Sequence, residues 1–219
     1  MTFIINIIQK FSKQLFSIYG IIFFSFIYLP LLTVIFLSFN SNPINMMVWD
    51  GFTFDWYKSI FGYSTKLDED AIYLESTDQL LSSLKNSLIV SITTTTISTI
   101  IGTMTALALA RFRFKFKSFY RALIFLPMLI PDIVLGIALL IFFVTIGIKL
   151  SLLSIIIGHC TFLSSYVFIV VSARLAGMNE TFEEASFDLG ANRLTTFRKI
   201  TLPIISPGII GGSLLAFII

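Results

Sequence analysis

The sequence predicts an all-α protein that crosses a membrane about five times. Hydrophobic residues make up 56% of the 219 residues and charged residues only 12%, whereas about a quarter of an ordinary soluble chain is charged. The mean hydropathy is +0.93, and the apolar residues gather in long runs between polar stretches. This composition excludes an ordinary soluble domain and makes the apolar runs candidate membrane spans.

The first apolar run lies at about residues 15–39. It is long enough to cross a bilayer core of roughly 30 Å, which takes about 20 residues. Because Lys10 and Lys13 precede it, a secretory signal peptide is the alternative. The run is too long for a signal core and lacks a small-residue cleavage site, which favours an uncleaved span after a tail at residues 1–14.

Four further apolar runs follow the first one. They occupy about residues 84–110, 122–148, 152–173 and 204–219. Small and hydroxylated residues in the second run favour close helix packing in lipid, and Pro127 and Pro131 interrupt the third. The last run has about 16 residues, fewer than a full span needs, so the predicted transmembrane domain at residues 15–219 ends in an incomplete span.

The distribution of basic residues predicts that the N-terminus is cytoplasmic. Residues 111–121 carry five basic residues and no acidic one, and Lys and Arg concentrate in cytoplasmic loops. Residues 40–83 carry two basic and seven acidic residues and should lie outside, whereas the loop at residues 174–203 is basic again and falls inside. Phenylalanines alternate with the cations of residues 111–121, which favours anchoring to anionic lipid over nucleic-acid binding.

The predicted outer loop at residues 40–83 is acidic and contains aromatic residues. Trp49, Trp56 and Tyr57 are typical of the aromatic belt at a membrane interface. The carboxylates of the loop are Asp50, Asp55, Asp68, Glu69, Asp70, Glu75 and Asp78. A solvated acidic loop is the favoured interpretation, and contact with a binding protein or attraction of cations is the alternative. No role is assigned to residues 63–78.

The polar stretch before the last run has the pattern of two short helices joined at Gly190. Thr181 and Glu184 have the spacing of a capping box, which predicts that a helix starts there. Gly190 suits the left-handed conformation that commonly ends a helix, and Asn192 can cap a second helix. The two helices would form a compact polar knob between membrane spans.

One face of this knob is a candidate surface for a partner protein. Phe182, Ala185 and Leu189 follow one another at helical spacing and share a face. The small side chain of Ala185 lets a partner surface approach closely, which is typical of helix-in-groove docking. The alternative is that Glu184 only caps its own helix and that the loop is a solvated connector.

The spacing of this loop resembles the signature of ABC-importer permeases, E-A-A, three residues, G, nine residues, I-x-L-P. Here the signature reads Glu184, Ala185, Ser186, Gly190, Ile200, Leu202 and Pro203. Only Ser186 departs from it, since the family usually has a second alanine there. The resemblance implies a type I ABC-importer permease-like helical bundle.

In the permease family this loop docks onto the ATP-hydrolysing subunit and transmits its closure. The resemblance implies that role for Phe182, Glu184, Ala185, Ser186, Leu189, Gly190, Ile200, Leu202 and Pro203. The chain contains no G-x-x-x-x-G-K-[ST] motif to cradle nucleotide phosphates. ATP is therefore expected on a separate ATPase subunit, and no cofactor is expected on this chain.

The resemblance covers nearly the whole chain and narrows to spermidine/putrescine permeases, in particular their second (C-type) membrane subunit. The similar stretches are S-F-N-S (38–41), G-F-T-F-D-W-Y (51–57), N-S-L (86–88), R-F-R-F-K (111–115), P-D-I-V (131–134) and S-A-R-L (172–175). The resemblance implies alternating access in a bacterial inner membrane, with ATPase subunits, a second permease subunit and an extracytoplasmic polyamine-binding protein as partners. Permeases for ferric iron, phosphonates or opines share much of this pattern and remain the alternative.

Two features depart from the family. Members normally continue through a full fifth span and a sixth, so the chain resembles a C-terminally truncated permease, and a non-transporting remnant is a further alternative. Ser165 stands where a proline is expected near the middle of the fourth run, so a helix bend is expected to be lost.

Asp132 is the sole acidic residue inside a predicted span. An ionisable group at membrane depth is costly and is a functional candidate by default. It follows Pro131, where a broken helix would expose carbonyls as well, and a carboxylate suits a cationic substrate. The alternative is that Asp132 lies near a membrane interface or caps the helix after Pro131.

No catalytic or metal site is predicted. The chain has one cysteine and one histidine, Cys160 and His159, and adjacent side chains on a helix diverge by about 100°. A nucleophile and its base need hydrogen-bond reach, so both residues are interpreted as packing residues. The competing hypothesis of a membrane-embedded enzyme based on Asp132 or His159 lacks a paired catalytic constellation.

Overall fold

A computed structural model of the protein describes residues 2–63, 65 and 77–219. Its helices are α1 (Thr2–Leu37), α2 (Asp55–Ile60), α3 (Thr77–Arg111), α4 (Lys117–Leu129), α5 (Asp132–Thr145), α6 (Leu152–Ala176), α7 (Thr181–Asp188), α8 (Arg193–Thr196) and α9 (Leu202–Ile218), with a π-helical turn at Phe197–Thr201. Most of the stretch at residues 63–78, including Asp68, Glu69, Asp70 and Glu75, lies outside the described residues.

Four helical segments are long and apolar enough to cross a membrane. They are Ser12–Leu37, Gln79–Arg111, Leu152–Ala176 and Arg193–Ile218. The pair α4 and α5 passes the same test together, with a bend of 107° between the two helices. The structure therefore confirms the predicted all-α polytopic membrane protein, with four or five spans among the described residues.

The third apolar run breaks at its second proline. Pro127 lies inside α4, but Ile130 is extended, with φ −84° and ψ 132°, because the ring of a following proline disfavours helical conformation in the preceding residue. Helix α5 then begins at Asp132. The halves have 13 and 14 residues, and each is too short to span a bilayer alone, since a span takes about 20 residues.

The last apolar run is part of a longer helical rod than its apolar residues suggest. Counted from residue 204 it falls short of a full span. In the structure, α8 continues through the π-helical turn into α9, and the rod Arg193–Ile218 has 26 residues. Pro203 lies within this rod, just after the π-helical turn, and does not interrupt it.

The chain divides into two compact units, residues 1–82 and 83–219. In the first unit, α1 runs through the predicted N-terminal tail, and its apolar span is unburied. The segment after it is organised around Asn40, whose side-chain amide donates to the carbonyls of Met46 and Val48. Trp56 Nε1 donates to the carbonyl of Asn40 at 2.8 Å, so this predicted belt residue also ties the segment together.

In the second unit, α6 is the central helix. Its residues Leu163, Val167 and Val171 are fully buried. Gly102 of α3 and Gly212 of α9 both abut Val167, so two glycines let neighbouring helices approach the same side chain. The buried residues on α3 include Thr94, Ser98 and Thr103, which fits the predicted close packing. Helix α6 is continuous through Ser165, as expected where the proline is absent.

We expect Gly102→Ala to destabilise the α3–α6 contact. An added Cβ would lie 2.7 Å from Val167 Cβ and 2.8 Å from the Ser164 carbonyl oxygen, and overpacking of this kind costs about 1–3 kcal/mol. Gly136→Ala is the matched control, since nothing lies within 4 Å of its added Cβ and alanine favours helix over glycine. Thermal unfolding in detergent should show a lower midpoint for Gly102→Ala alone. Equal midpoints would contradict this packing.

Candidate functional site

The loop between α6 and α9 contains α7, Gly190 and α8, close to the prediction. Gly190 has φ +85°, which confirms the left-handed helix end. Asn192 Oδ1 accepts a hydrogen bond from the Thr195 N–H at 2.8 Å, which confirms the predicted cap of α8. The predicted capping box is wrong, because the cap position is Glu180. Asn179 Oδ1 accepts from the Thr181 N–H instead.

Helix α7 turns one side toward the rest of the loop. Ser186 and Glu183 are three residues apart and therefore share this side. The Ser186 and Thr196 hydroxyl oxygens lie 2.9 Å apart, and Thr201 Oγ1 donates to Glu183 Oε1 at 2.6 Å. Ser186, the one departure from the family signature, thus makes a hydrogen bond that alanine would lack. Thr196 and Thr201 are buried, and neither was singled out from the sequence.

Other residues of the loop are exposed. We call Phe182, Glu184, Ala185, Leu189 and Leu194 together the exposed face. The exposed fractions of its large apolar residues are 55% for Phe182, 89% for Leu189 and 64% for Leu194. Exposed apolar side chains in a polar loop are a candidate protein interaction site.

The residues of the loop signature therefore separate into two groups. Glu184, Ala185 and Gly190 are exposed, whereas Ile200 and Leu202 are half-buried. Ile200 packs against the hydrophobic core of the second unit, and Pro203 is the second residue of α9. The first group is exposed on the surface of the loop, and the second connects the loop to α9 and to the core of the second unit.

Asp132 lies at a separate location, in a cavity of about 700 Å³ beside α5 and α6. The walls are mostly apolar and include Leu139, Phe143, Ile155, His159 and Phe162. Asp132 is exposed and is the first residue of α5, directly after Pro131. The positive end of the helix dipole stabilises a carboxylate at this position. The geometry is compatible with both predicted roles, a cation site and a helix start.

His159 and Cys160 have separate partners. His159 Nδ1 lies 2.9 Å from the Ile155 carbonyl oxygen, and Cys160 Sγ lies 4.0 Å from the Thr94 carbonyl oxygen. These contacts support the interpretation of both as packing residues. Among the described residues, no group of three or more His, Cys, Asp or Glu side chains is placed to hold a metal ion.

Comparison with known proteins identifies the class. A family model described as "Binding-protein-dependent transport system inner membrane component" matches residues 98–219, more than half of the chain. The match runs from the middle of α3 through the whole loop to the end of α9. The chain belongs to this family, the membrane-spanning permease subunits of ABC importers. Such subunits transport rather than catalyse, so the enzyme hypothesis is not supported.

Within this family, the chain is similar to permeases named for spermidine and putrescine. The chain is 36% identical to the "Spermidine/putrescine transport system permease protein PotC" of Escherichia coli (strain K12), over 89% of this chain and 68% of the relative. It is 32% identical to the protein of that name from Haemophilus influenzae, over 90% of this chain and 70% of the relative. It is 35% identical to the "Putrescine transport system permease protein PotI" of Escherichia coli (strain K12), over 89% of this chain and 66% of the relative.

Proposed function

We propose that this chain is a permease subunit of an ATP-driven importer of polyamines, with spermidine and putrescine as substrates. The observation that carries the substrate class is the similarity, over 89% of the chain, to permeases named for these two compounds. The reported relatives do not favour ferric iron, phosphonates or opines. The cavity at Asp132 offers a carboxylate to a cationic substrate.

The proposed importer lies in the bacterial inner membrane with the N-terminus of this chain in the cytoplasm. The basic residues at 111–121 and in the loop at residues 174–203 support this orientation. Its partners are ATPase subunits, which bind the ATP, a second permease subunit and an extracytoplasmic polyamine-binding protein. In this orientation the exposed face lies on the ATPase side.

The exposed face is the proposed ATPase contact. Phe182, Leu189 and Leu194 supply apolar contact area, while Ala185 leaves room for close approach and Glu184 adds a charge. When the ATPase subunits close on ATP, they pull on this face. The movement reaches α9 through the half-buried Ile200 and Leu202 and switches the permease between its outward-open and inward-open states.

Asp132 is the proposed cation site on the substrate route. Two ends of a broken span meet at Ile130 and Pro131, and the cavity beside them is lined mainly by apolar side chains. A carboxylate attracts an ammonium group more strongly in such surroundings than in bulk water. Phe143 and Phe162 line the same cavity, and aromatic rings add cation–π attraction.

The test is uptake of labelled spermidine and putrescine by polyamine-transport-deficient cells. The cells express this chain with its cognate binding protein, second permease subunit and ATPase. Polyamine uptake that depends on this chain and is not reduced by excess ferric iron, phosphonate or opine supports the proposal. Absence of polyamine uptake together with uptake of one of those solutes would refute the substrate class.

A further inference from the structure

Arg111, the last residue of α3, reaches across to the loop between α6 and α9. Its Nη1 donates to Glu180 Oε1 at 2.8 Å. Its Nε forms an ion pair with Glu183 Oε2, also at 2.8 Å, although the N–H direction does not meet hydrogen-bond geometry. The side chains of Arg111 and Glu183 are only 19% and 14% exposed, whereas that of Glu180 is 68% exposed. Water therefore screens the pair with Glu183 less than the pair with Glu180.

Glu183 is shared between two partners. While Oε2 faces Arg111, Oε1 accepts the hydrogen bond from Thr201 in the π-helical turn before α9. One carboxylate thus joins α3, α7 and the start of α9. We refer to Arg111, Glu183 and Thr201 together as the triad.

Helix α7 depends on such polar contacts for its position, because none of its own residues is buried. Polar side-chain contacts of α7 with other elements include those of Glu183 in the triad and the hydrogen bond between Ser186 and Thr196, and Glu180, just before the helix, also pairs with Arg111. Most of the exposed face belongs to this helix. A force on the exposed face therefore reaches α3 through Arg111.

We infer that Arg111 is a positioning residue for energy coupling, which transmits movement of the exposed face to α3 through Glu183. This inference rests on the proposed function and adds a second transmission route beside the continuous rod from α8 to α9. Arginine suits this role because its planar group engages two carboxylates at once, whereas lysine presents a single charged centre.

The experiment uses the complete importer in proteoliposomes and measures polyamine transported per ATP hydrolysed. Altering one residue along such a network changes coupling by about twofold to thirtyfold. We expect Arg111→Gln and Glu183→Gln each to lower the ratio by about tenfold, with the amount of assembled complex unchanged. Arg111→Lys should keep part of the ratio, because it retains the charge facing Glu183 but cannot engage both carboxylates, and the exchange Arg111→Glu with Glu183→Arg should restore part of it.

Glu180→Gln is the matched control, because it removes the exposed partner of the same arginine. It should change the ratio by less than about twofold, as expected for an exposed ion pair. If Arg111→Gln does not assemble, Glu183→Gln decides, because it removes the ion pair with Arg111 while its amide oxygen can still accept the hydrogen bond from Thr201.

Failure of the inference and failure of the proposed function give different results. A wild-type importer without ATP-dependent polyamine uptake would refute the function itself. A working wild type with an unchanged ratio in Arg111→Gln, or in Glu183→Gln where Arg111→Gln does not assemble, would overturn the role of Arg111. Equal losses in Glu180→Gln and Glu183→Gln would also overturn it, since the less exposed carboxylate would then have no special part.

Discussion

Replacing Gly190 with proline should abolish ATP-driven uptake while the complex still assembles. Gly190 has φ +85° and its N–H donates to the Phe187 carbonyl at 2.8 Å. Proline fixes φ near −65° and has no N–H, a combination that costs about 3 kcal/mol or more. The turn between α7 and α8 would change direction, so the placement of Leu189 relative to Leu194 would change. Uptake and ATPase activity in proteoliposomes measure the effect.

Gly147→Pro is the matched control for this substitution. Gly147 has φ +76°, and its N–H donates to the Val144 carbonyl at 3.1 Å, so the same backbone features are lost in the loop between α5 and α6. Both variants should lose similar stability. In Gly190→Pro the ATPase activity should persist but no longer respond to polyamine. In Gly147→Pro the ATPase activity should still respond to polyamine. Equal loss of uptake at equal complex levels in both variants would contradict a special role for the α7–α8 turn.

Asp132→Asn should raise the polyamine concentration that gives half-maximal uptake by about tenfold, which corresponds to a loss of about 1.4 kcal/mol of binding free energy. The substitution keeps the size of the side chain at the start of α5 and removes its charge. Maximal uptake should change little, because the exposed face is untouched. Uptake measured over a range of spermidine and putrescine concentrations separates the concentration for half-maximal uptake from the maximal uptake rate.

Two variants serve as controls for Asp132→Asn. Asp132→Glu keeps the charge and should keep most of the affinity. Asp50→Asn removes a carboxylate of the first unit that accepts a hydrogen bond from Asn42 and should leave the uptake curve unchanged. Superimposable curves for wild type and Asp132→Asn would remove Asp132 from the substrate route.

The features that the sequence predicts correctly are local. Long apolar runs define the spans because a membrane helix satisfies its backbone hydrogen bonds within its own segment. Gly190 and Asn192 were predicted because helix ends select these residue types. The capping box failed because the helix begins one residue earlier than the Thr181 and Glu184 spacing implies.

The features that the sequence does not indicate depend on contacts between distant segments. Glu183 meets Arg111, which lies 72 positions before it, and Thr201, which lies 18 positions after it. The hydrophobic periodicity of α3 and of α7 does not indicate these contacts. Likewise, the hydrogen bond to Thr196 gives Ser186 a structural role only once α7 and α8 are folded against each other.

Site-specific cross-linking at Leu189 tests the central claim, that the exposed face is the ATPase contact, most directly. Cys160 is the only cysteine, so a Cys160→Ser background carrying Leu189→Cys has a single thiol, at the most exposed large apolar residue of that face. Leu150→Cys, at an exposed residue between α5 and α6, is the control. We predict a cross-link from position 189 to the ATPase subunit, with a yield that changes with ATP, and none from position 150. No cross-link from position 189 in an importer active in polyamine uptake would contradict the assignment.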